Sequence, residues 1–149
     1  MSPTSFLFFS FGFSARMELN TLFMKDRIYI NELKDHVGEE VTIAGWADSR
    51  RDHGKLVFLD LRDMTGVVQM VALPAHAEAH ETAQKVRDEW VLQIYGKVNK
   101  RPEKMINPEL PTGDLEIEIL DIKVLNESKT PPIDVRSDGH EIGEEHRLE

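Results

Sequence analysis

Two tight-turn signatures lie close together near the middle of the chain, and they leave the residues around them little choice but antiparallel strands. Asp52-His53-Gly54-Lys55 places a glycine where a hairpin turn requires a positive φ. Asp63-Met64-Thr65-Gly66 has Asp first and Gly last, the pattern of a type I turn. The segment between them, Leu56 to Arg62, is a strand by alternation. Val57, Leu59 and Leu61 point to one face, while Leu56, Phe58, Asp60 and Arg62 point to the other.

The first set reads as core. The second leaves an aromatic ring, Phe58, among charged residues and close to Arg50 and Arg51. Such a ring is more often core or edge packing. Beside guanidinium groups on a small sheet, however, it also suits a single-stranded nucleic-acid platform, where rings stack on splayed bases and cations hold phosphates or base edges.

The flanking segments complete a fold. Asn31 to Gly38 reads as a short helix, with Asn31 as N-cap and Gly38 as its stop, and with Ile30, Leu33 and Val37 on one side. The first strand begins at Val41 and Ile43 and runs through Trp46 into the arginine pair. Val67 to Leu73 is the third strand, ended by Pro74. Ala75 to Glu89 has a helical composition, with Ala77, Ala79, Ala83 and Val86 as its apolar positions. Trp90 to Val98 is the fourth strand, and Arg101 to Gly113 is a loop with three prolines.

Asp114 to Leu125 is the fifth strand, and its apolar phase shifts. Leu115, Ile117 and Ile119 face inward, and then Ile122 and Val124 take over, which predicts a β-bulge near Leu120. Five strands with a helix between the third and fourth predict an all-β domain with short helices, a five-stranded OB-fold Greek-key barrel. On its outer face Gln69 can join Phe58, and its amide suits a base edge. Glu116 and Glu118 point outward as well. Such carboxylates are usually plain surface, although they can accept hydrogen bonds from base amino and imino groups.

Composition narrows the function. A chain of 149 residues is about one domain, and the absence of cysteine excludes disulfides and thiolate chemistry and fits a reducing compartment. A net charge of −9 argues against an indiscriminate nucleic-acid coater. It leaves room for local basic patches, and Arg50, Arg51, Lys55 and Arg62 form one while Lys97, Lys100, Arg101 and Lys104 form another. His76 and His80, four apart on a helix, lack the zincin spacing and read as surface residues, so no metal site is expected. There is no phosphate-cradling glycine loop, and no paired acid and base stands out.

Residues 1–24 do not follow this plan. They are Phe-rich, lack the basic start of a secretory signal and are too short for a membrane span. They are expected to be a disordered extension before a domain at 25–127, with an export signal as the weaker alternative.

The segment from Gly45-Trp46 through Arg51-Asp52-His53-Gly54, with Phe58-Leu59-Asp60-Leu61-Arg62-Asp63 and Gly66-Val67-Val68-Gln69, resembles the N-terminal anticodon-binding domain of class IIb aspartyl-tRNA synthetases, the bacterial form above all. The similarity extends from about Ile28 to Leu148. Lysyl- and asparaginyl-tRNA synthetases share the barrel and match these strings less well.

The resemblance implies that Phe58 stacks on an anticodon base and that Arg51 and Gln69 contact the central uracil, with Asp52 orienting the arginine. It implies that Glu116 reads the first base, a guanine or its modified form, and that Lys104 and Asn107 lie near the third, a cytosine. Met105 stands where bacterial relatives often carry asparagine, which leaves discrimination between aspartate and asparagine anticodons open.

Residues 128–149, with Pro131-Pro132-Ile133-Asp134 and Glu144-Glu145-His146-Arg147-Leu148, resemble the linker toward a class II catalytic domain. ATP, magnesium and amino-acid chemistry would reside there, so this chain is expected to carry no cofactor and no catalysis of its own. The implied partner is the anticodon loop of tRNA(Asp), with tRNA(Asn) as an extension. The implied setting is cytoplasmic and off the membrane, with a monomeric fragment of a homodimeric parent. The competing reading is a general single-strand or protein-interaction module on the same barrel.

Overall fold

The computed structural model describes residues 26–129. Its strands are β1 (Glu40–His53), β2 (Leu56–Arg62), β3 (Val67–Ala72), β4 (Val91–Lys100) and β5 (Leu115–Asn126), and one α-helix, α1 (Ala77–Lys85), lies between β3 and β4. The strands close into a barrel in the order β1-β2-β3-β5-β4. β3 and β5 pair parallel and every other neighbouring pair is antiparallel. This is the OB-fold barrel with its helix in the expected place. Closure removes the exposed sheet edges that a five-stranded sheet would otherwise present.

The alternation read in β2 holds: Val57, Leu59 and Leu61 are buried, and the residues between them are half-buried on the outer face. Inside the barrel they meet Val68 and Met70 of β3, Ile43 of β1, Ile94 of β4 and Ile117 and Ile119 of β5, while Ala79, Ala83 and Val86 of the α1 segment join the same core. Burial of each large aliphatic side chain contributes roughly 1.5–3 kcal/mol. Ala77, grouped with the apolar positions of the helix, is exposed. The helix is also shorter than the Ala75–Glu89 expectation, because Val86 already has an extended ψ of 137°.

Among the described residues three register shifts interrupt the barrel, one at Leu125 near the end of β5 and two that bear on the site. Tyr95 pairs with Asp121 and Gly96 with Ile119, so Leu120 is the extra residue of β5, as its apolar phase shift predicts. In β1, Ala47 pairs with Leu61 and Ser49 with Asp60, which makes Asp48 the extra residue of that strand. Directly paired residues share a face. The Asp48 bulge therefore turns Ser49 and Arg51 to the side of Asp60 and Phe58, and sends Arg50 to the side of Leu59.

The N-terminal helix differs from expectation. It is a 3₁₀ segment over Ile30–His36 with Tyr29, not Asn31, at the N-cap. Its first N–H groups are satisfied from elsewhere in the fold: Ile30 donates to Asp63 Oδ2 at 2.9 Å and Asn31 to Thr65 Oγ1 at 3.1 Å. The Asp63–Gly66 turn is thereby a joint between two elements. Gly38 does follow the segment, with φ of +86°. Within residues 1–25 and 130–149 fall most of the expected extension and linker, which lie outside the described residues.

Candidate nucleic-acid interface

The outer faces of β1, β2, β3 and β5, with the end of β4 and the start of the β4–β5 loop, enclose a groove of about 660 Å³. Arg51, Phe58, Gln69 and Glu116, four of the residues singled out by sequence, all line it. They come from four different strands, and the register explains their meeting: Arg51 pairs with Phe58, Asp60 with Gln69, and β3 runs beside β5.

At one end of the groove Phe58 is half-buried, and the His53 ring stands edge-on to it at 5.8 Å and 80°. The hairpin that carries His53 turns at Gly54, whose φ of +62° is the positive value anticipated there. Leu56, Val71 and Leu73 extend the apolar floor. An aromatic face with a supporting edge is suited to stacking a base.

The rest of the groove is a continuous polar chain. Arg51 Nη2 donates to Asp60 Oδ1 and Oδ2, both at 3.1 Å, and to Gln69 Oε1 at 3.2 Å. Gln69 Nε2 donates to Glu116 Oε2 at 2.8 Å, and Arg101 Nε lies 3.9 Å from the same oxygen. Arginine only donates and an ionised carboxylate only accepts, so the direction of the Gln69 amide is dictated by its neighbours. Each end of that amide keeps a further hydrogen-bonding position, which can present a paired donor and acceptor to a base edge.

The other expected residues fall differently. Asp52 does not orient Arg51. Its carboxylate pairs with Arg50 at 3.3 Å, and Asp60 holds Arg51, because the bulge puts Asp52 opposite Val57 and away from Phe58. Lys104 is exposed on a 3₁₀ turn, Glu103–Met105, and does not line the groove, whereas its neighbour Met105 does. Asn107 is used by its own loop: its Oδ1 accepts from the Glu109 N–H at 3.0 Å, and its backbone bonds Gly113 at 3.1 Å. A Cβ on Gly113 would stand 1.7 Å from the Asn107 carbonyl oxygen, so only glycine lets the two strands of this loop approach so closely.

Residues that sequence reasoning did not single out as site residues also line the groove: His53, Asn99, Arg101 and Glu118. Asn99 sits opposite Glu116 in the β4–β5 register. Arg101 has a side chain only 10% exposed and donates from Nη1 to the Gly113 carbonyl at 3.2 Å, tying the loop to the groove. Their outward phase beside Glu116 was a signal, but only once β4 is known to lie next to β5.

Two histidines, His76 at the N-cap of α1 and His80 within it, act as struts. His76 Nε2 is 3.2 Å from Glu118 Oε1 and His80 Nε2 is 2.8 Å from the Lys55 carbonyl. Among the described residues no group of three or more metal-ligating side chains converges.

Residues 41–125 match the family of OB-fold nucleic acid binding domains of the tRNA-anticodon type. An aspartate–tRNA(Asp/Asn) ligase of Desulfatibacillum aliphaticivorans is 47% identical over 117 residues, which make up 78% of this chain and 19% of that protein. The corresponding ligase of Natranaerobius thermophilus is 50% identical over 111 residues, 73% of this chain and 19% of that one. Among solved structures, an aspartyl-tRNA synthetase of Entamoeba histolytica is similar with a TM-score of 0.63 at 25% identity, over 72% of this chain and 23% of that one. The chain thus spans about a fifth of the length of these relatives.

Proposed function

Because the chain belongs to the family of tRNA anticodon-binding OB-fold domains, we propose that it reads the anticodon loop of tRNA(Asp), and that of tRNA(Asn) as well, on behalf of an aspartate–tRNA ligase. The observation that carries this reading is the convergence of Arg51, Phe58, Gln69 and Glu116 from four strands into one groove. Phe58 offers the stacking face. Arg51 and Gln69 offer donors and an acceptor matched to the O4 and N3–H of a central uracil, and Glu116 offers a carboxylate to the N1–H and amino group of guanine.

Met105, exposed at the rim, supports the broader choice of tRNA: a thioether makes no firm hydrogen bond that would demand a cytosine at the third position. Lys104, exposed beside it, offers a cation to the RNA backbone. ATP- and magnesium-dependent attachment of aspartate would belong to a further domain of a homodimeric enzyme, with this domain itself monomeric and without a cofactor. A cytoplasmic location follows from the proposed partner.

The test is binding of the chain to anticodon stem-loops carrying GUC, GUU and a scrambled triplet, at one stated salt concentration. GUC and GUU bound alike, and both above the scrambled loop, is the expected result. Equal binding of all three would replace base reading with general single-strand binding, and binding of none would end the RNA reading of the isolated chain.

A further inference from the structure

We propose that Asp60, which the base-reading scheme above leaves without a contact to RNA, is the positioning residue that sets the specificity of the groove at the central base. The inference rests on that scheme and extends it to a residue one step behind the reading groups.

The geometry is specific. The Asp60 carboxylate accepts from Arg51 Nη2 with both oxygens at 3.1 Å and also takes the Ser49 hydroxyl on Oδ2. Its side chain is 18% exposed against 50% for Arg51, so the carboxylate is the fixed member of the pair and the guanidinium the presented one. Asp60 also pairs with Gln69 across β2 and β3, so the base of the polar chain and its amide lie at the same level of the barrel. Ser49 reaches Asp60 only because the Asp48 bulge shifts the β1 register by one residue. The order of control therefore runs from Asp60 to Arg51, then to the Gln69 amide, and on to Glu116.

A guanidinium held this way is already arranged before RNA arrives, and less ordering remains to oppose binding. Its donors then discriminate. Uracil presents an acceptor at O4, whereas cytosine presents an amino donor at the equivalent position, which would face a donor it cannot pair with. Without Asp60 the long arginine side chain can swing clear of that amino group, and the Gln69 amide loses one of the two neighbours that fix its direction.

Charge alone predicts the opposite sign. Removing a carboxylate from a groove that binds a polyanion should tighten binding to every RNA. The two accounts separate in Asp60→Asn.

The experiment measures the affinity of the full 149-residue chain, as wild type and as Asp60→Asn, for stem-loops carrying GUC and GCC, which differ only at the central base. We expect Asp60→Asn to weaken GUC binding by about tenfold, the equivalent of one charge-assisted hydrogen bond, and to shrink the GUC-over-GCC preference by a similar factor. In an Arg51→Met background the same substitution should no longer lower affinity, because its effect passes through the guanidinium. Glu89→Gln removes a carboxylate paired with Arg62 instead and should leave the preference intact.

Thermal melts establish that each variant is folded. Should Asp60→Asn prove unfolded, Ser49→Ala carries the test, since it frees the carboxylate without a change of charge. A reduced preference in Ser49→Ala supports the proposal and an unchanged one overturns it. Asp60→Asn that binds GUC as tightly as wild type with its preference intact overturns the proposal alone. A wild-type chain with no preference between the two loops would overturn the base-reading scheme and this inference with it.

Discussion

Phe58 is the residue whose surroundings say most about its use. Its face of β2 also carries Asp60 and Arg62, and its ring is half-buried, with His53 closing only one edge. A core phenylalanine would be covered by aliphatic groups on both sides, whereas this one keeps a face toward a groove lined by Arg51, Gln69 and Glu116. Stacking a base on an aromatic side chain contributes about 1–3 kcal/mol. Phe58→Ala should therefore weaken stem-loop binding by roughly tenfold or more while altering stability little, a combination that titration and a thermal melt would establish together. Phe58→Tyr keeps the ring and should bind within about threefold of wild type. A Phe58→Ala variant with unchanged affinity would remove the stacking platform from the mechanism.

Between elements, two joints hold the groove in shape. The first is the Asp63 carboxylate, which accepts from the Thr65 N–H and hydroxyl at 2.6 Å each, from the Gly66 N–H at 3.1 Å and from the Ile30 N–H at 2.9 Å. Burial on its own would raise the Asp63 pKa, but the hydrogen bonds from Thr65, Ile30 and Gly66 together outweigh it and hold the group below its ordinary 3.8. A depressed carboxylate pKa gives stability that is fully present above the ordinary value and is lost as pH falls through the folded one. Wild type should thus lose stability below about pH 4. Asp63→Asn should be less stable at pH 7 by roughly 1–3 kcal/mol, and the gap should narrow toward pH 3 in denaturant titrations.

The second joint is Arg50, whose Nη1 donates to the carbonyls of Gln84 and, at 3.1 Å, Val86, capping the C-terminal end of α1 while Asp52 holds its other nitrogen. Arg50→Met should destabilise the domain by about 1–2 kcal/mol, measured by chemical denaturation, and loosen the hairpin that carries Arg51. These joints also mark where the sequence could be read and where it could not. The Leu120 bulge was legible because Ile119 and Ile122 break a strong apolar alternation. The Asp48 bulge was not, because Trp46 to Arg51 offers no apolar rhythm to interrupt. Missing that bulge hides which of Arg50 and Arg51 faces the groove and which carboxylate holds it. Phe58, Gln69 and Glu116 could be put on the outer face because each lies between two apolar residues that are buried, Val57 and Leu59, Val68 and Met70, and Leu115 and Ile117. Arg101 reads from sequence only as one cation of a basic stretch, because its place beside Glu116 depends on the register in which β4 pairs with β5.

Taken as one charged body, the molecule should repel RNA. Its net charge is −9, and a tRNA loop is itself a polyanion. Two features offset this. The cations that line the groove are largely committed to carboxylates, Arg51 to Asp60 and Arg101 toward Glu116, so they fix geometry more than they attract phosphates. The exposed cations nearest in sequence to lining residues are few: Lys55 on the β1–β2 turn, Lys100 at the end of β4 and Lys104 beyond it. Affinity must then come mainly from stacking and base-edge hydrogen bonds, with about three phosphate contacts at most. Each phosphate neutralised on a single strand contributes about 0.7 to the slope of log affinity against log salt, so the expected slope is about −2. A protein that coated RNA through its backbone would give a slope several times steeper and would bind scrambled loops as well as matched ones. Measuring the GUC stem-loop between 50 and 200 mM salt (roughly the range over which such slopes are linear) should therefore show a shallow fall in affinity with the base preference undiminished. A steep fall, with preference fading as salt rises, would mean that the phosphates and not the bases hold the RNA, and the groove would then have to be read as a track for the backbone.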